Sequence, residues 1–362
     1  MSKNSGFCFC SWLLVVLAAL VALEIGVRIC IFNPFFPVKK LRIPELYASY
    51  WGDDDYWKLY HAFKGPVQPP ASVYIHPILG WSQKQISADN QLGLRKDTIS
   101  LFTSPGKHIL FYGDSFVDGA VSLPEYEIPA YITNRLHDAS VIDLSVGGYG
   151  FDQMYLLFVL THTKITRPFV VFGLLVEDDL DRSILSFRTG QKPYFALKHG
   201  ELVLQGIPID PVPAHYLARH QAHIPSYAFR LFFRSIIGRT SWGAQYPARI
   251  DEKKLVTTKI VEKIEALCKD RGYPVLFVLF HSQYDLASGG YWQETFLKEL
   301  FRRKQIPYVD TAEFLRAYVR EHGVPLGDFY DTTGVMAGHH NDLGNRVIAE
   351  GLQEYFAQWI GS

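Results

Sequence analysis

After one unbroken apolar stretch at its start, the chain alternates short apolar runs with longer segments in which apolar residues return every three or four positions. The opening stretch, residues 7–23, reads FCFCSWLLVVLAALVAL without a charge, and apolar character resumes after Glu24 through Ile31 and Phe32. About 20 such residues cross a bilayer as a helix. No small-x-small cleavage site follows the apolar core, so residues 7-32 are read as an uncleaved transmembrane anchor behind a short tail, 1-6. Glu24 and Arg28 stand four apart on one helical face, where each can neutralise the other. From 33 to 104 the pattern is broken by Pro34, Pro37, Pro44, Pro66, Pro69, Pro70 and Pro77. Fixed φ and missing donors forbid long helices or central strands there. A Pro-rich connector is expected over 33-104, with Trp51, Tyr56, Trp57 and Tyr60 recurring at helical spacing inside it.

From 105 to 362 a domain of alternating strands and helices is predicted. Short apolar runs mark strands at HILFYG from His108, at SVIDLS, and over 169–176, 274–280 and 308–310. Helical spacing marks EIPAYITNRLHD and residues 152–161, 251–269, 292–303 and 343–359. Strands without polar alternation are buried on both faces, and strand–helix–strand units cross over right-handedly. The predicted fold class is therefore α/β, a three-layer α/β/α sandwich with a mostly parallel sheet. Residues 183-249 interrupt the rhythm and are read as an insertion. It contains a hairpin about His199-Gly200 and then SYAFRLFFRSIIGR, in which Arg230, Arg234 and Arg239 stand beside Phe229, Phe232 and Phe233. That stretch is read as a helix with one buried face rather than a membrane-docking segment.

A length of 362 residues allows one large domain or two. The 36 basic and 36 acidic residues cancel and form no basic block, which argues against nucleic acid as a partner. Of the four cysteines, Cys8, Cys10 and Cys30 fall in the first apolar stretch and Cys268 stands alone, so neither a disulfide framework nor a metal-ligand spacing can be drawn. Cys8 and Cys10 are read as small apolar residues rather than acylation sites. Charge flanking the anchor is lopsided: Lys3 precedes it, and Arg28, Lys39, Lys40 and Arg42 follow. Taken literally, that bias would hold the large domain inside, although large domains translocate despite flanking charge.

Gly113-Asp114-Ser115-Phe116 follows the first predicted strand directly, at the carboxyl edge of the sheet, where open α/β folds bind ligands. A serine there can attack a carbonyl if a base takes its proton and donors face the oxyanion; the plainer reading is a serine that caps a helix. Glu177, Asp178, Asp179 and Asp181 are read as solvated charge at a strand end rather than as a calcium or magnesium site, and no metal is expected. The segment GGYG lacks the dinucleotide fingerprint, and no cofactor is expected.

Over about 107–359 four blocks, GDSFVDG, DLSVGGYGFDQ, FGLLVEDDLDR and GHHNDLGNRVIAEGL, resemble in order those of the SGNH/GDSL hydrolase superfamily, whose fold is flavodoxin-like. The fragments His76-Pro77…Gly80-Trp81 and Gly93-Leu94-Arg95 look like the lead-in of its membrane-anchored bacterial members. The resemblance implies Ser115 as nucleophile and His339 as general base, with the backbone N–H groups of Ser115 and Gly148 facing the oxyanion. His340 is the rival base, but the His-x-Asn-x-x-Gly spacing runs from His339 through Asn341 and Gly344. Two positions depart from the family: Glu177-Asp178-Asp179 stands where an Asn is usual, and Met336 where an Asp orients the histidine. Asp331, Asp328 or a backbone carbonyl would then have to orient His339.

The activity so implied is that of a serine esterase or deacylase working through an acyl-serine on an ester of an envelope glycan or lipid. The expected location is the inner membrane, single-pass, with an extracytoplasmic or periplasmic domain. The alternatives are an O-acetyltransferase modifying a cell-surface polysaccharide and a non-catalytic binding or scaffold protein.

Overall fold

In the computed structural model, which describes residues 4–33, 35, 37–48, 53–64, 74–84, 86–119, 122–136, 138–236 and 249–360, the first elements are the helices α1 (Asn4–Phe32) and α2 (Asp54–Lys64). A small hairpin, β1 (Tyr74–His76) and β2 (Gly80–Ser82), and a short helix, α3 (Lys96–Leu101), follow. Strand and helix then alternate through β3 (Lys107–Tyr112), α4 (Ile128–Arg135), β4 (Ala139–Asp143), α5 (Phe151–Thr161), β5 (Phe169–Leu175) and the one-turn α6 (Asp179–Arg182). A second hairpin, β6 (Tyr194–Lys198) and β7 (Glu201–Gln205), precedes helices α7 (Pro213–Arg219) and α8 (Tyr227–Ile236). The alternation resumes with α9 (Ile250–Arg271), β8 (Val275–Phe280), α10 (Gln283–Ser288), α11 (Trp292–Lys304), β9 (Tyr308–Asp310), α12 (Thr311–His322) and α13 (Asp342–Ile360).

The chain divides into two compact units, one of residues 1–67 with 212–248 and one of 68–211 with 249–362. The second holds a five-stranded parallel sheet in the order β4-β3-β5-β8-β9. Its strands coincide with the five apolar runs of the sequence. Side chains alternate across the pleat, so Leu110 and Tyr112 of β3 join a core with residues of α5, α9 and α11, while Ile109 and Phe111 join one with α4, α12 and α13. The sheet is thereby covered on both faces, which is why every residue of β5 is buried. Burying those aromatic and branched side chains stabilises the fold by about 1.5–3 kcal/mol each.

Within residues 33-104, expected as a connector, the part that begins with β1 groups with the α/β unit, and Leu79, Trp81 and Leu94 enter its core. The interruption at 183-249 is divided between the two units. Its first part stays with the sheet, through the buried Lys192 and the β6–β7 hairpin, whose turn residues His199 and Gly200 have φ of 53° and 82°. Residues 212–248 belong instead to the N-terminal unit.

In that unit Glu24 of α1 accepts the N–H groups of Tyr227 (3.0 Å) and Ala228 (2.9 Å) and the Ser226 hydroxyl (2.8 Å), capping α8, and also pairs with Arg28 at 2.7 Å. Over Trp12–Phe32, 21 residues with mean hydropathy 2.5, α1 has the length and composition to cross a membrane. Trp51 and Arg239 lie outside the described residues, as do the side chains of Cys8, Cys10, Phe233 and Arg234.

The end of β8 carries a buried charge. Both ring nitrogens of His281 meet carboxylates, Nδ1 that of Asp285 and Nε2 that of Asp310 at 2.8 Å. Burial alone would lower its pKa; the bonds and charges of the two aspartates outweigh it and lift it to about 9. A folded-state pKa above the unfolded one gives stability that is complete below about 6.5 and lost as pH rises through about 9. The melting temperature of the full chain is therefore expected to fall between pH 7 and pH 9.5, by up to about 1.4 kcal/mol per pH unit in stability terms. A flat profile for the parent, or an equal slope in His281→Gln, would contradict this origin.

Candidate active site

Ser115 lies three residues beyond β3, in a tight turn that its neighbour builds. The Asp114 carboxylate accepts the Phe116 N–H at 2.9 Å, and the Asp114 carbonyl accepts those of Val117 and Asp118, both at 3.2 Å. Gly173 on the adjacent β5 leaves room for this turn: a Cβ there would stand 2.7 Å from Val117 Cγ2. The turn leaves Ser115 at 7% exposure at the carboxyl end of the sheet.

The glycine block runs beside it. Leu144 and Val146 donate to the carbonyls of Phe111 (2.8 Å) and Gly113 (3.1 Å), carrying the β4 register past the end of the strand. The β1–β2 hairpin braces this loop from outside: Trp81 Nε1 donates to the Gly147 carbonyl at 3.1 Å, Gln83 to that of Ser145 at 2.7 Å, and the Tyr149 hydroxyl to that of Trp81 at 2.6 Å. Arg95, from the fragment noted in the sequence, ties Asp143 to Glu127. Gly148 has φ of 80°, and a Cβ on it would meet Arg188 Nη1 at 2.7 Å. The same Nη1 donates to the Gly148 carbonyl at 2.9 Å. Among the described residues neither the Ser115 nor the Gly148 N–H donates to a protein acceptor. With Gly148 N–H in the oxyanion role that the family resemblance implies, Gly148→Ala is expected to lower kcat about 10²-fold, with some loss of stability because an L side chain is strained at this φ and meets Arg188. An unchanged kcat in that variant would remove Gly148 from the site.

His339 reaches the serine from the loop before α13. Its Nε2 lies 2.8 Å from Ser115 Oγ, and its Nδ1 lies 2.8 Å from the Met336 carbonyl oxygen. A carbonyl only accepts, so Nδ1 carries the proton and Nε2 offers its lone pair to the serine hydroxyl. The ring is stacked on Phe116 with centroids 4.6 Å apart. Asn341 shapes the loop: its side-chain nitrogen donates to the Asp328 carbonyl at 2.8 Å, and its oxygen caps α13 by accepting from Leu343 and Gly344, both at 3.1 Å.

Asp331 does not take the orienting role. Its carboxylate accepts from the backbone N–H (3.0 Å) and hydroxyl (3.1 Å) of Thr333, and only its backbone N–H reaches His339, at the carbonyl. Asp331→Asn is thus expected to change kcat/KM by less than about threefold, against the roughly 10⁴-fold loss that removing a true orienting carboxylate causes. A large loss would show that the carboxylate turns to the imidazole during turnover. His340 points the other way, into a buried aromatic nest of Phe116, Phe280 and Tyr330. Burial, and then the neighbouring His339 and His281, push its pKa down to about 3, which holds it neutral.

The acidic cluster is not solvated. Asp178, Asp179 and Asp181 are buried, and they are paired: Asp178 and Asp179 with Arg182, Asp181 with Lys253. Glu177 has its pKa lifted to about 7, chiefly by burial. A second acidic group, His281, Asp285 and Glu294, has metal-ligating residue types. Its members are engaged with one another and with a cation: Asp285 and Asp310 hold the imidazole, and Lys298 joins Glu294 (2.6 Å) to Asp310 (2.5 Å). Arg182 and Arg188 were not foreseen beside Ser115, although Arg182 stands three and four positions after Asp179 and Asp178, the spacing at which helical side chains pair. Arg182 Nη1 joins the Asp114 carboxylate (2.8 Å) to the Tyr149 carbonyl (3.0 Å), locking the Asp114–Ser115 turn to the glycine block.

No protein-family model matches the chain, and no curated protein matches it. Among solved structures it is similar to a two-domain esterase active on acetylated mannans, at 13% identity and a TM-score of 0.39, over 73% of this chain and 52% of that one. It is also similar to a carbohydrate acetylesterase family member from Sinorhizobium meliloti, at 15% identity and a TM-score of 0.35, over 71% and 100%. An acetyl xylan esterase stands at 15% and 0.39, over 69% and 98%. These are likenesses of fold. The chain spans about half the length of the mannan esterase.

Proposed function

We propose that the chain is a serine esterase of the SGNH/GDSL type, held to the inner membrane by α1 with its α/β unit on the periplasmic side, acting on an acyl ester of an envelope glycan or lipid. The observation that carries this reading is the 2.8 Å contact between Ser115 Oγ and His339 Nε2, with Nδ1 protonated toward the Met336 carbonyl. In the first step Oγ bonds to the ester carbonyl carbon while its proton passes to Nε2. The carbonyl oxygen becomes an oxyanion facing the N–H groups of Ser115 and Gly148. Collapse breaks the bond to the leaving oxygen, which takes the proton from Nε2 and departs as an alcohol. Water then attacks the acyl-serine, giving its proton to Nε2; collapse breaks the bond between Oγ and the acyl carbon, Oγ takes that proton back, and the carboxylic acid leaves.

The site departs from a complete triad in one way that bears on rate. A neutral carbonyl at Nδ1 fixes the tautomer but stabilises the imidazolium less than a carboxylate would. Labelling of the detergent-solubilised full chain with a fluorophosphonate tests the reading directly. Stoichiometric labelling, lost in Ser115→Ala and His339→Ala, is expected. A folded parent that stays unlabelled would leave the fold with a binding role instead.

A further inference from the structure

A cavity of about 610 Å³ lies in the N-terminal unit, lined from the end of α1, from α2 and from α7. Much of its wall is apolar, including Phe32, Leu217 and Tyr227, whereas its charged lining has one sign, from Arg28 and Lys58 with His61 beside them. Among the described residues no carboxylate lines it. The Lys58 side chain is only 13% exposed and forms an ion pair with Asp55 at 3.6 Å, longer than a hydrogen bond. Arg28 gives one donor to Glu24 and one to the Ile224 carbonyl at 3.2 Å, out of the five a guanidinium carries. Arg28, 45% exposed and paired with Glu24, and Lys58 both line this mostly apolar cavity, and an anion there would take up donors that Glu24 and Asp55 do not. The volume falls in the range of small-molecule sites.

Its place in the fold narrows the occupant. Arg28 and Phe32 belong to the last turns of the apolar helix. The same unit leaves aromatic side chains uncovered, Phe35 at 81% and Phe229 and Phe232 of α8 at 60% and 59%. Aromatic rings beside arginines at the end of an apolar helix suit the boundary between acyl chains and water.

We propose that this cavity binds one anionic phospholipid, its phosphate between Arg28 and Lys58 and the start of its acyl chain along Phe32 and Leu217. The proposal rests on the membrane reading of α1. The full chain in detergent would be titrated with dioleoyl phosphatidylglycerol and followed by native mass spectrometry. One tightly held lipid is expected on the parent, bound about tenfold more weakly by Lys58→Gln, the size of one charge-assisted hydrogen bond. Lys263→Gln, on the other unit, is expected to bind as the parent does. Leu217→Trp, which fills the hollow without touching a charge, should weaken binding as well. Equal binding by the parent, Lys58→Gln and Leu217→Trp overturns the site. Displacement of the lipid by millimolar glycerol 3-phosphate overturns the lipid as source in favour of a soluble phosphate. Carbonate extraction separates the two readings: a parent released from membranes sinks the anchor, whereas a retained parent with indifferent variants sinks the cavity alone.

Discussion

Ser115→Ala is expected to lower kcat/KM for a small activated ester such as p-nitrophenyl acetate by about 10⁴-fold or more, with the melting temperature almost unchanged. The side chain removed is one oxygen, 7% exposed, bonded to His339 Nε2 and to no structural group among the described residues. Little stability therefore depends on it. His339→Ala is expected to cost nearly as much, because without a base the hydroxyl keeps its proton. The double variant is expected to be no worse than either single one, since two groups that act on one proton lose their effect together. Additive losses would mean that Ser115 and His339 act on different steps. Full activity in Ser115→Ala would sink the acyl-serine mechanism outright.

Ser115 and His339 lie 224 positions apart, and the structure brings them within 2.8 Å of each other; each sits in a block whose local geometry is dictated by its own residues. Asp114 caps the turn that carries Ser115, and Asn341 caps α13 and ties the loop of His339. The central strands β3, β5 and β8 were legible in the sequence for a similar reason: covered on both faces, they read as apolar runs.

What escaped depends on long-range partners. The acidic run after β5 looked solvated because its cations lie elsewhere, Arg182 one turn on and Lys253 far along the chain. The stretch that begins with β1 looked like a connector because its prolines forbid long elements; its attachment comes from single residues such as Trp81 and Gln83, which reach the glycine block. Helix α12 was missed because no linker announces it: Asp310 ends β9 and at once caps the helix, accepting the Ala312 N–H at 2.9 Å. Asp331 was near enough to His339 in sequence to be a candidate, but the direction of a carboxylate in a loop is set by the nearest donors, here those of Thr333.

Arg182→Met is expected to be the most damaging single change to stability, at about 3–5 kcal/mol. Methionine matches much of the volume, so the cost is electrostatic. Arg182 is buried, with Nη1 on Asp114 (2.8 Å), Asp179 (2.9 Å) and the Tyr149 carbonyl (3.0 Å), and Nη2 on Asp178. Its removal leaves three buried carboxylates without their common cation. Burial and the Asp114 charge already raise the Asp179 pKa above that of a free aspartate, and the variant raises it further. A raised folded-state pKa means that the folded chain holds protons the unfolded chain has released. The variant should therefore keep more of its stability at pH 5 and lose it as pH rises toward 8. Calorimetry of the full chain is expected to show a melting point lower by on the order of 10 °C at pH 8, with a smaller deficit at pH 5. Arg182→Lys keeps the charge but not the fork that reaches several acceptors at once, and should fall between the two. A deficit independent of pH would mean that Arg182 acts by shape and not by charge. In either case the Asp114 turn loses its brace, so the loss of ester hydrolysis in folded Arg182→Lys measures how far that one guanidinium holds Ser115 in line with His339.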